Sequence, residues 1–115
     1  MKKFIYLSIL LLLFIMTSCS SNSEEVIVNP PVNNNITYTA NVKTIIDSNC
    51  LNCHTSPPVN GAPMSLTTFL SVRDAVTGRG LINRVENGTM PPAGNPLTST
   101  QVQTIKDWEA GGFKE

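Results

Sequence analysis

Apolar residues in this chain fall into one dense block near the start and, after a polar stretch, into short runs at helical spacing. Phe4 to Met16 is almost unbroken hydrocarbon behind Lys2 and Lys3. Beyond it, Val42, Ile45 and Ile46 share one face of a helix that runs into Cys50. Leu66 to Val76 has apolar residues near helical spacing and predicts a second helix, punctuated by Gly78 and Gly80. Leu81, Ile82 and Val85 predict a short third, stopped by Asn87-Gly88, a pair suited to a left-handed turn. The last is the best marked: Thr98 to Gln101 fits a capping box, Val102, Ile105 and Trp108 form a stripe, and Gly111-Gly112 ends it. No segment alternates with period two for long, so an all-α fold of three to four helices is expected.

The first apolar block is too short to span a bilayer comfortably, which takes about 20 residues. With its lysine start it reads as an export signal. Met16-Thr17-Ser18-Cys19 resembles a bacterial lipoprotein cleavage box, which assigns residues 1–18 to the signal and Cys19 to lipid attachment. The competing reading is an ordinary secreted protein with a spare thiol. Residues 19–37, rich in Ser and Asn and carrying Glu24, Glu25 and Pro30-Pro31, cannot bury enough apolar surface to fold and read as a tether. The remaining 38–115 form one domain, small enough that its core alone is marginal and a staple is expected. Acidic and basic side chains balance, so no charged face points to nucleic acid, and no Gly-rich phosphate loop is present.

The staple is suggested by Cys50-Leu51-Asn52-Cys53-His54, the run C-x-x-C-H that attaches haem covalently. Two thiols a turn apart can add across two vinyl groups of one porphyrin, and the adjoining imidazole can reach the iron. His54 is the only histidine in the chain. Structural zinc wants four ligands, and no second Cys or His pair accompanies these three. A redox dithiol would sit where a strand enters a helix, whereas the segment before Cys50 is helical in pattern. A Cys50–Cys53 disulfide would close a very small, strained loop. In Asn87-Gly88-Thr89-Met90-Pro91-Pro92, Met90 is the candidate for a second axial ligand, with Pro91 and Pro92 stiffening the loop. Met64, in Gly61-Ala62-Pro63-Met64, competes for that role, and either methionine could instead be plain core.

With these two motifs in this order, residues from about Ala40 to Gly112 resemble a small mono-haem class I cytochrome c of bacterial type. The resemblance implies a small cytochrome c fold wrapped around one covalent haem c, with Cys50 and Cys53 as its thioethers and His54 and Met90 as its axial ligands. It also implies that Trp108 packs the last helix on the first near Ile45 or Ile46. A proline carbonyl would orient His54, with Pro58 and Pro63 as candidates. Leu66, Phe69, Leu70, Leu81, Ile82 and Val85 are expected to line the pocket, and Arg79 or Arg84 to meet a propionate. Iron with two protein ligands has no open position, so the expected role is electron carrier and not enzyme. Its partners would be a dehydrogenase, an oxidase or another cytochrome, met at the periplasmic or outer face of a bacterial membrane. Two alternatives stay open: a haem domain with a labile distal site acting as gas sensor or weak peroxidase, and a haem subunit of a larger oxidoreductase.

Overall fold

A computed structural model describes residues 31–92 and 94–115. The signal segment, Cys19 and the tether up to residue 30 lie outside the described residues. Among the described residues all regular structure is helical and no strand occurs. A π-helical turn, Tyr38–Val42, runs straight into α1, Lys43–Asn49. Three further helices follow: α2, Phe69–Arg79, α3, Leu81–Glu86, and α4, Ser99–Ala110. None is long and apolar enough to cross a membrane.

Local chemistry sets these boundaries. Thr37 caps the first turn by accepting from the Ala40 N–H, and Lys43 pairs with Asp47 one turn further on. The second helix starts later than the apolar spacing predicts, at Phe69 instead of Leu66. Thr68 and Ser71 form a reciprocal capping box there, and a cap outweighs periodicity in placing a first turn. Gly80, at φ 67°, ends α2 and starts α3 in one residue, a reversal that a side chain would resist. Thr98 and Gln101 form the expected capping box of α4.

Val42, Ile46, Val72, Ile105 and Trp108 are fully buried and make the centre of the core. Each aliphatic among them contributes about 1.5–3 kcal/mol by leaving water. Helix α4 packs against both the Tyr38–Val42 turn and α3, so the last helix closes the domain onto the first. Trp108 is the hinge of that closure. Its ring neighbours are Phe113 at 4.8 Å, Tyr38 at 5.7 Å and Phe69 at 5.8 Å, and its Nε1–H donates to the Lys114 carbonyl at 2.8 Å. Tyr38, in the turn that precedes α1, thus joins the Trp108 cluster, and Ile46 of α1 is buried in the same core. The Lys114 carbonyl also accepts from the Tyr38 N–H at 2.8 Å, and the Lys114 ammonium donates to the Asn34 carbonyl at 2.7 Å. Chain entry and C-terminus are therefore tied together, with Ile36 packed on the core.

Candidate functional site

Helix α1 delivers the first site residue at its end. The Cys50 N–H donates to the Ile46 carbonyl at 2.8 Å, which makes Cys50 the last residue held by the helix. Its carbonyl then accepts from the N–H groups of Cys53 at 3.2 Å and His54 at 2.9 Å, so both thiols and the imidazole are carried on one further turn. The thiols are free and half-buried. Burial pushes the Cys50 thiol up from 9.0 to about 11, so it stays protonated at neutral pH.

The loop after His54 folds back and fixes it. The Val59 N–H donates to the Cys53 carbonyl at 2.9 Å, and the Leu66 N–H to the His54 carbonyl at 2.7 Å. Asn60, in the left-handed region at φ 53°, aims its amide at the Cys53 sulfur, 3.6 Å away. The imidazole Nδ1 lies 2.8 Å from the Met64 carbonyl. A carbonyl only accepts, so Nδ1 carries the proton and the ring lone pair is on Nε2. The expected acceptor was the carbonyl of Pro58 or Pro63; it is that of Met64, the residue after Pro63. A main-chain acceptor leaves no side-chain signature, so only the path of the loop could identify it.

Met90 arrives from the other half of the chain, half-buried, with its N–H on the Arg84 carbonyl at 3.1 Å. Cys50, Cys53, His54 and Met90 all line one cavity of about 380 Å³, as does Met64. Leu66, Ala75, Leu81 and Val85 supply apolar wall, and the lining side chains that carry charge are Arg79 and Arg84. Neither arginine is ion-paired among the described residues, where the bridges are Lys43–Asp47, Arg73–Asp74 and Lys106–Glu86.

Three of the expected lining residues lie elsewhere. Phe69 belongs to the aromatic cluster around Trp108, its ring 5.5 Å from Tyr38. Leu70, its neighbour on α2, is 56% exposed, and Ile82 packs against the core without reaching the cavity. Val72, Ala75 and Val76 form the buried face of α2, and Leu70, two residues before Val72, falls on the opposite side of the helix. Asn49, Asn52, Asn60 and Asn95 also line the cavity; short amides at a helix end and in loops carry no periodic signal that sequence could reveal.

The site therefore gathers two thiols, one imidazole with a free Nε2 and one or two thioethers on an apolar cavity with two cationic side chains. Among the described residues, no group of three or more His, Cys, Asp or Glu side chains is placed to hold a metal ion directly. No family model, no curated protein and no solved structure matches the chain.

Proposed function

We propose that this chain is an exported electron carrier with one covalently attached haem c, built as a small mono-haem class I cytochrome c. The observation that carries the reading is the convergence of Cys50, Cys53, His54 and Met90, from two distant segments, on a single apolar cavity. Its size lies within the range of about 300–1,000 Å³ common for small-molecule sites.

When bound, the cofactor supplies a reversible one-electron iron couple. Cys50 and Cys53 would hold it through thioethers, and His54 would ligate through Nε2, the nitrogen left free by the Met64 carbonyl. That same contact makes the imidazole a stronger donor and keeps its plane fixed. It also sets the Met64 main chain behind the ring, on the side away from Nε2, which supports Met90 over Met64 as the opposite ligand. Met90 is a neutral, soft ligand that favours reduced iron and raises the potential. Held by both His54 and Met90, the iron would be closed to dioxygen and peroxide, and the protein would pass electrons instead of performing catalysis. Lipid on Cys19 and the tether would keep the domain at the periplasmic or outer face of a bacterial membrane, within reach of a dehydrogenase, an oxidase or another cytochrome.

The test is the reduced-minus-oxidised visible spectrum of protein exported with haem-attachment machinery. A narrow low-spin reduced band, haem retained through acid-organic extraction and a weak far-red sulfur-to-iron band in the oxidised state are expected. A high-spin spectrum would turn the case toward ligand binding or catalysis, and absence of covalent haem would overturn it.

A further inference from the structure

Met90 is followed by Pro91 and Pro92, which have no N–H to anchor the loop, and then by Gly94 at φ 81°. The ties that hold Met90 lie upstream, and they are dense. The Asn87 side-chain oxygen accepts from the Thr89 N–H at 3.0 Å and from the Thr89 hydroxyl at 2.7 Å. The Arg84 carbonyl accepts from the Met90 N–H at 3.1 Å and lies 3.2 Å from the same hydroxyl. The hydroxyl has one proton, and the nearer Asn87 oxygen takes it. Gly88, at φ 71°, lets the chain turn tightly enough for these contacts to close. Arg84 and Val85 are themselves cavity wall, so the position of Met90 is referred to the helix that bounds the site.

We infer that Asn87 and Thr89 form a latch that holds Met90 on the iron and sets how often it lets go. The inference rests on the function proposed above, and makes both residues positioning residues. An added ligand such as imidazole binds only when Met90 is displaced, so its apparent dissociation constant is the intrinsic one divided by the fraction displaced. Removing the Thr89 hydroxyl loosens the latch by one net hydrogen bond, which raises that small fraction about fivefold.

The experiment titrates imidazole into the haem-loaded protein and its Thr89→Val, Thr89→Ser, Asn87→Ala and Met90→Ala variants, with amide hydrogen exchange on the same samples. Thr89→Val should bind imidazole about fivefold more tightly than the parent, with Thr89→Ser close to the parent because it keeps the hydroxyl. Exchange at the Met90 amide should accelerate in Thr89→Val while the amides of α1 keep their protection, which a general loss of stability would not produce. Asn87→Ala removes the shared acceptor and is read the same way, should Thr89→Val fail to fold. Parent affinity in both Thr89→Val and Asn87→Ala, in a parent that shows the far-red band, would overturn the latch alone. A parent without that band, binding imidazole as tightly as Met90→Ala, would overturn Met90 ligation and the latch with it.

Discussion

Replacing Trp108 with alanine tests how much of this domain stands without the proposed haem. The indole is fully buried, and its three ring neighbours join the entry turn, α2 and the C-terminal segment. Truncation of a buried tryptophan costs about 3–5 kcal/mol from lost transfer energy and the remaining cavity. The lost Nε1–H adds little, because its acceptor, the Lys114 carbonyl, keeps the Tyr38 N–H and is not orphaned. A single core in a domain of about 80 residues without a staple rarely supplies more than about 3–5 kcal/mol in all. Trp108→Ala should therefore leave the cofactor-free chain largely unfolded at 25 °C, whereas Trp108→Phe, which keeps most of the ring, should lose only about 1–2 kcal/mol. Urea unfolding followed by far-ultraviolet circular dichroism measures both, and repeating it on loaded protein should show the Trp108→Ala domain folded again. A loss below about 1 kcal/mol in the cofactor-free Trp108→Ala protein would refute the argument that this cluster closes the last helix onto the first.

Three more outcomes follow from the same geometry. Burial holds the Cys50 thiol at about 11 against 9.0, and unfolded chain ionises first as pH rises. The cofactor-free protein should thus keep its full stability below pH 9 and lose about 2–3 kcal/mol between pH 9 and 11, while in haem-loaded protein, where the proposed attachment makes the sulfur a thioether, denaturant midpoints should show no such loss. Gly80→Ala meets no atom within 4 Å but must adopt φ 67°, so thermal unfolding should register a cost of about 1–2 kcal/mol from backbone strain alone. Nitrogen chemical shifts of His54 in neutral, cofactor-free protein should report a proton on Nδ1, and a proton on Nε2 would contradict the Met64 carbonyl as its acceptor.

The sequence by itself determined the all-helical class and which side chains are available for chemistry. Apolar spacing around Ile46, Val85 and Ile105, the Thr98 capping box and the glycines at 80 and 88 are local signals, and each acts within a turn or two of where it is written. The C-x-x-C-H run is likewise local, so its thiols and imidazole could be named without knowing the fold. Where a local signal competed with another, as at Leu66 against Thr68, the cap decided the first turn, while the packing of Val72, Ala75 and Val76 left Leu70 on the solvent side. Only the tertiary structure decided what meets what. That Met90 reaches the same cavity as His54 depends on α3 and the Arg84 carbonyl, and that Met64 orients the imidazole depends on a main-chain oxygen with no residue type attached to it. Trp108 shares the core cluster with Ile46 of the first helix, and the Tyr38 ring joins it because the C-terminal segment folds back and hydrogen-bonds both Trp108 and Tyr38 through the Lys114 carbonyl. Contacts of this kind are set by the path of the backbone between distant segments, and periodicity within one segment carries no record of them.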